Sequence, residues 1–224
     1  MTLLEPRPIG GSVLTVDAYT WHSRTKGLPV ETISWSFTDE EIIAFSGQGR
    51  VPVLVDGDKV LTGSWTIANY LENNAEGASL LGGPAGLALT RFIESWTDYV
   101  LLSGPVRLIL IDVFACLREN VRAYFRSSRE QRLGMTLEAA CADRDHRVIG
   151  FRQSLEPFRT TLKTQPFVGG EAPNYADYLL LGGFMWARST SPFKLLSNDD
   201  PIALWRERLL ARFEDARNAP GYDT

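Results

Sequence analysis

The stretch VPVLVDGDKVLTGSW, Val51 to Trp65, holds the positions whose residue types point most directly to ligand chemistry. Pro52 lies one residue into an apolar run that otherwise reads as a strand. A proline contributes no ladder donor, so it belongs on a sheet edge, at a strand's first residue or at a distortion. Two backbone states fit: a trans edge proline, the commoner form, or a cis bond that turns the chain. The cis turn would release the backbone N–H and C=O of Val51 to pair with an extended peptide as an added strand. Ser64 stands where the second strand gives way to TIANYLE, a place where a hydroxyl caps free helix amides. A helix start also presents exposed donors and a positive dipole end to a carboxylate. A proline-distorted strand and a helix start twelve positions apart would together suit a small acidic peptide.

Other chemistries have little support. His22 and His146 lie far apart, and there is no Ser-His-Asp arrangement, HExxH or phosphate-binding glycine loop, so a histidine mechanism and a metal centre are not expected. The net charge of −4, with both signs mixed along the chain, offers no footprint for nucleic acid or anionic lipid. Cys116 and Cys141 are too few and too isolated for a disulfide framework, and they suit a reducing cytoplasm as buried thiols. The most apolar window, YVLLSGPVRLILIDVFACL, carries Arg107, Asp112 and a central Gly-Pro, which predicts a buried, kinked helix and no membrane span. The N-terminus lacks the cationic start and apolar run of a signal peptide, so a cytoplasmic protein is expected.

The elements that must position Pro52 and Ser64 follow from periodicity. TLLE forms a short strand, and Ser12 to Lys26 carries Leu14, Ala18 and Trp21 at helical spacing up to Gly27. VETISWSF alternates as a strand, with Ile33, Trp35 and Phe37 on one side. Thr38 and Glu41 read as a capping box opening a short helix, EEIIAF. Strand VPVLVD, turn GD, strand KVLTG and helix SWTIANYLENNA complete a β-α-β-α-β-β-α order, which implies a mixed sheet with an antiparallel edge. EGASLLGGPAG is the Gly/Ala/Ser/Pro-rich linker, and everything after it has helical patterning: a long helix through Leu117, a short one at SREQRL, one from Thr136 to Lys163, then NYADYLLLGGFMWARS and DPIALWRERLLARFEDARN. The expected fold class is α/β plus all-α, with a small domain at 1–75, a linker at 76–86 and an all-α domain at 87–224.

RVPVLVDGDKVLTGSWTIANYLE resembles the segment of glutathione transferases in which a Val-cis-Pro pair precedes a hairpin and an acid-Ser pair starts a helix. PFVGGEAPNYADYLLLG resembles their late signature, in which Asn174 and Asp177 form an N-capping box. More narrowly, SWTIANYL, SSREQRL, TLEAACADRDHRVIGFRQSLEPFRTTL and NYADYLLLGGFMWAR resemble bacterial β-aryl etherases and fungal FuA-type transferases. The resemblance implies a thioredoxin-like first domain, an all-helical second domain, glutathione as co-substrate, a small hydrophobic or aromatic second substrate, and a homodimer. Glutathione chemistry needs a thiolate, and a thiol of pKa about 8.5 needs a hydrogen-bond donor to supply one at neutral pH. Aligned backward from KGLP, Ser12 falls near the family's serine and is the expected donor, with Thr15 and Tyr19 as alternatives; Ser12 could equally cap the helix after IGG. By the same resemblance Val51 pairs with the cysteinyl unit, Pro52 is cis, Ser64 holds the γ-glutamyl carboxylate, and Arg50 assists with a carboxylate or is a solvated loop charge. Trp21, Trp96, Tyr99, Leu102, Val106 and Arg107 would line the second substrate's cleft, although aromatics at helical spacing also make ordinary core. The departure is Gly63, where the family usually has Glu or Asp to pair with the γ-glutamyl ammonium. That departure keeps open two rival functions, a binder of hydrophobic ligands or a glutathione-independent isomerase or cyclase.

Overall fold

The computed structural model describes residues 1–6, 23, 25–35, 39–74, 76, 79–213, 217 and 221–222. Four strands, β1 (Thr2–Pro6), β2 (Glu31–Trp35), β3 (Val53–Asp56) and β4 (Lys59–Thr62), form one sheet in the order β2-β1-β3-β4. β1 and β2 are parallel, while β1 with β3 and β3 with β4 are antiparallel, so the mixed sheet expected from the element order is the one that forms.

Side chains alternate across that sheet, as a two-residue period requires. Leu3 and Leu54 point to one face and are buried with Ile67 and Leu71 of α1 (Ser64–Asn74), which present a single stripe at i, i+4. Leu4 and Val53 point to the other face and are buried with Trp35 and Ile43. Each such side chain contributes about 1.5–3 kcal/mol on burial, which anchors both faces of β1 and β3 in register. Ile33, on the same side of β2 as the buried Trp35, is exposed, since β2 is an edge strand.

The helix expected at EEIIAF is a 3₁₀ helix, Glu40–Ser46, with Asp39 at its N-cap and no side-chain cap bond; Thr38, the expected cap, lies outside the described residues. Three residues per turn bring only Ile43 onto the core, leaving Ile42 and Phe45 exposed.

The second half is helical: α2 (Gly83–Trp96), α3 (Val106–Cys116), α4 (Glu119–Leu133), α5 (Leu137–Cys141), α6 (Arg144–Ser154), α7 (Glu156–Leu162), α8 (Tyr175–Thr190) and α9 (Pro201–Leu210). The long helix expected through Leu117, with a kink at its Gly-Pro, is two helices that meet at that kink. α2 widens into a π-helical turn at Thr97–Leu102, and Gly104-Pro105 then bends the path by 71° into α3. Glycine is needed at 104, where a Cβ would come within 2.8 Å of the Phe151 ring. The helix expected from Thr136 to Lys163 is three pieces, the last opened by Pro157, which lacks the amide needed to continue the one before. No single helix among the described residues is long and apolar enough to cross a membrane. The bent pair of α2 and α3 turns Leu101, Leu108, Ile109 and Val113 into the core.

α8 is the axis of this domain, with Tyr175, Tyr178, Leu181 and Met185 buried along it. Trp205 of α9 packs edge-on against Phe158 at 4.8 Å and Phe184 at 6.1 Å. Arg159 forks onto the nearly inaccessible carboxylate of Asp200, which also caps α9 through the Ile202 amide.

Candidate ligand site at the strand-to-helix junction

The Val51–Pro52 bond is cis. Pro52 precedes the first residue of β3, and β3 is an interior strand paired on both sides, so the edge-strand explanation of this proline does not apply. The Pro52 carbonyl accepts from the Gly63 amide at 3.3 Å, drawing the end of β4 against the start of β3. The Gly63 carbonyl in turn accepts from Ile67 at 3.1 Å and begins α1. Thus Pro52 and Gly63, eleven residues apart in sequence, are joined by a backbone hydrogen bond that sets Ser64 beside the start of β3.

Gly63 has φ of 83°, a left-handed conformation that glycine adopts without cost, and a Cβ there would meet nothing within 4 Å. Ser64 is half-buried and is the first helical residue, one past the capping position. Its hydroxyl caps no amide among the described residues, and a helix start without a side-chain cap favours an anion. Val51 and Pro52 are half-buried, with Val51 packed on the Leu4, Trp35, Ile43 and Val53 cluster, and Arg50 is exposed.

Residues not singled out by sequence reasoning stand beside this junction. Trp65, next to Ser64, faces away from the sheet and packs on the helical core. The Arg91 guanidinium of α2 lies 5.0 Å from the Trp65 ring centroid and is paired with Glu94. Burial pushes the Glu94 carboxyl above its ordinary range against the pull of Arg91, and burial likewise raises Asp98. The one sequence signal for this group was the i, i+3 spacing of Arg91 and Glu94, which surface helices show routinely.

Of the remaining candidates, Ser12, Thr15, Tyr19, Trp21 and His22 lie outside the described residues. Trp96 is half-buried and lines a cavity of about 100 Å³ with Phe92, Ile93, Phe158, Val168 and Leu180. Tyr99 is 79% exposed, Leu102 is exposed, and Val106 and Arg107 are half-buried at the start of α3. A broader depression of about 460 Å³ lies between α6, α7 and the start of α9, but its Arg152 and Arg159 are committed to main-chain carbonyls and to Asp200. Burial and the nearby Asp112 push the Cys116 thiol up, which disfavours a thiolate there, and Cys141 is buried. Among the described residues no group of three or more His, Cys, Asp or Glu side chains could hold a metal ion.

Comparison with known proteins bears on both halves of the chain. Residues 20–79 match the family model for the glutathione S-transferase N-terminal domain, and residues 88–213 match that for the glutathione S-transferase C-terminal domain. Among solved structures, glutathione transferase GSTFuA3 from Phanerochaete chrysosporium is similar at TM-score 0.78 and 20% identity, over 94% of this chain and 96% of that one. A glutathione S-transferase of Ceriporiopsis subvermispora in complex with glutathione is similar at TM-score 0.78 and 19% identity, over 100% and 99%. A theta class glutathione S-transferase from Xanthomonas axonopodis pv. citri with glutathione bound is similar at TM-score 0.66 and 21% identity, over 100% and 97%. At these identities the likeness is one of fold.

Proposed function

This chain belongs to the glutathione S-transferase family, and on that premise we propose that it is a glutathione-dependent transferase acting on an aromatic or other hydrophobic electrophile. The observation that carries this reading is the junction at which the Gly63-to-Pro52 hydrogen bond draws the Val51–Pro52 pair against the start of α1 at Ser64. Glutathione is an acidic tripeptide that suits such a junction. Val51 pairs with its cysteinyl backbone, Ser64 and the first-turn amides of α1 hold the γ-glutamyl carboxylate, and Arg50 meets a second carboxylate. The glutathione-bound relatives with the same fold support glutathione as the co-substrate.

Ser12 donates a hydrogen bond to the thiolate and holds it ionised near neutral pH. The sulfur attacks an electrophilic carbon and a C–S bond forms. In β-aryl ether cleavage, the reaction suggested by the etherase resemblance, the C–O bond breaks with its electron pair on the aryl oxygen, which takes a proton from solvent. Trp21, Trp96, Tyr99, Leu102 and Arg107 belong to the second-substrate side in this reading. The functional division is a glutathione domain at 1–75, a linker at 76–86 and a substrate domain at 87–224. The working form is a cytoplasmic homodimer, supported by the exposed Leu89 and Phe92 along α2 and by two unpaired thiols.

Gly63 favours a second reading, a glutathione-fold protein that makes weak or no use of glutathione and binds a hydrophobic ligand or acts as an isomerase or cyclase. A missing charged hydrogen bond is worth about 1.5–3 kcal/mol, or roughly ten- to a hundredfold in affinity. Calorimetric titration with glutathione separates the two. The transferase reading expects saturable binding below millimolar concentration, and an absence of heat at millimolar glutathione overturns it. Ser12→Ala then leaves affinity nearly intact while lowering turnover; unchanged turnover removes Ser12 from its role.

A further inference from the structure

Three separate pieces of chain meet in a closed circuit of polar contacts at the boundary between the sheet and the helical domain. Thr25 Oγ1 is 2.9 Å from the hydroxyl of Tyr178, which lies on α8 and is completely buried. The adjacent residue, Lys26, places its ammonium 3.4 Å from the Glu72 carboxylate, with both side chains nearly inaccessible. Glu72, near the end of α1, also accepts from the amides of Leu80 and Leu81. The Leu80 carbonyl accepts from the Tyr175 amide at 3.0 Å, one helical turn before Tyr178. The circuit therefore runs Thr25, Tyr178, Tyr175, Leu80, Glu72, Lys26 and back to Thr25.

The links are not equivalent. Glu72 joins Lys26 by an ion pair and the connecting segment by the Leu80 and Leu81 amides. The Tyr178–Thr25 bond alone in this circuit joins the Thr25–Lys26 pair directly to α8. That helix is a fixed reference, because Asp177 beside Tyr178 accepts from the amides of Val168, Gly169 and Asn174 and from the Trp205 indole. Phe213 packs edge-on against the Tyr178 ring at 6.1 Å, and burial keeps the phenol protonated at neutral pH. A phenol so enclosed has its packing needs met by its ring, and phenylalanine would meet them equally. What its oxygen adds is a tether to the other domain.

We infer that Tyr178 is a positioning residue for the thiol chemistry: its hydroxyl, through Thr25, fixes Thr25 and Lys26 of the glutathione domain in register with the core helix of the substrate domain. The inference rests on the proposed transferase reading, in which the thiolate donor, Ser12, lies upstream of these residues in the chain. A donor must hold the sulfur at hydrogen-bond distance to keep it ionised, so a small loss of register weakens thiolate stabilisation before it weakens binding. Val51 and Ser64, the proposed holders of the tripeptide, lie outside the circuit.

Tyr178→Phe removes the oxygen and keeps the ring, while Thr25→Val breaks the same bond from an exposed residue and so spares the core. Each is expected to lower turnover at pH 7 about tenfold and to raise the thiolate midpoint in the pH profile of kcat/KM by about one unit, the equivalent of a tenfold loss of thiolate. Glutathione affinity stays within about twofold, the double variant is no worse than either single one, and Thr25→Ser restores the wild-type profile. Profiles that superimpose on the wild type, or a Thr25→Ser protein that behaves like Thr25→Val, overturn the inference. If the wild type fails to bind glutathione, the transferase reading fails by itself, and the anchor is read by amide hydrogen exchange. Exchange over Ser23–Leu28 should be about tenfold faster in Tyr178→Phe, and equal protection overturns the anchor as well.

Discussion

Two helices in this molecule begin in opposite ways. At Asn174 every local demand is met by the chain itself: Asn174 accepts from Ala176, Asp177 reaches back to the Asn174 amide, and the same carboxylate takes donors from Val168, Gly169 and Trp205. At Ser64 the helix starts from a glycine in left-handed conformation with no side-chain cap among the described residues, and the residue before the serine carries no charge. Both are helix N-termini with the same positive dipole end. The difference is that one spends its donors on folding, while no side chain among the described residues caps the other. A closed start is a structural part, and the proposed reading assigns the uncapped one to the ligand.

The largest test of this contrast is at the closed start. Asp177→Ala strips a buried acceptor from four N–H donors and should cost about 4 kcal/mol of stability, since each such group left unpaired costs about 1–3 kcal/mol and the losses are not additive. Denaturant unfolding measures it, and a loss under 1 kcal/mol would mean the network is ornamental. Asp200→Ala should follow at about 3 kcal/mol, because it removes the cap of α9 and leaves the Arg159 guanidinium without its buried carboxylate. Neither change should alter glutathione affinity by more than about twofold in the folded protein.

How much of this was legible beforehand follows from range along the chain. The Asn174–Asp177 box, the GD hairpin and the start of α1 are written in residues one to four apart, where capping and turn chemistry act, and they appear as read. The proline was legible only as an anomaly, because cis and trans forms differ by about 0.5–1 kcal/mol and surroundings decide. The π turn at Thr97–Leu102 and the 71° bend at Gly104-Pro105 were half legible: the residues announced a kink, but its angle comes from α6 and α8 packing against it. Arg91 over Trp65 and Thr25 on Tyr178 were not legible, since each joins residues far apart whose types alone have no local signature.

At the open start the expected effects are smaller and fall on the ligand. Ser64→Ala should weaken glutathione binding about tenfold, the worth of one hydrogen bond to a carboxylate, while stability changes by less than about 0.5 kcal/mol because the hydroxyl caps no amide among the described residues. Calorimetry and thermal unfolding on the same protein give both numbers, and a stability loss exceeding the affinity loss would make Ser64 an ordinary cap.

A smaller effect separates the junction from the interdomain circuit by pH. Burial alone would raise Glu72, but the Ser79 hydroxyl, the Leu80 and Leu81 amides and Lys26 outweigh it and hold its pKa below the ordinary 4.5. A carboxylate depressed in the folded state lends stability that is present above its unfolded pKa and is lost as pH falls through the folded one. Wild-type stability should therefore drop on acidification below about pH 5, and Glu72→Gln should be less stable at neutral pH and flatter in acid. Parallel curves for the two proteins would show that the bonds from Ser79, Leu80, Leu81 and Lys26 to the Glu72 carboxylate together contribute nothing.

The smallest and most discriminating change is Gly63→Asp. A Cβ at this position meets no atom within 4 Å, so the substitution carries no steric clash, but a φ of 83° costs a non-glycine residue about 1 kcal/mol. That strain is present with and without ligand, so it lowers the melting temperature and leaves affinity untouched. The new carboxylate acts only when an ammonium stands beside Ser64, and at an exposed position such a pair is worth about 1 kcal/mol, or about fivefold in affinity. Tighter glutathione binding on a less stable protein would show that the ligand lies with its γ-glutamyl end at this junction. An unchanged dissociation constant with the same stability loss would show that the open helix start faces some other anion.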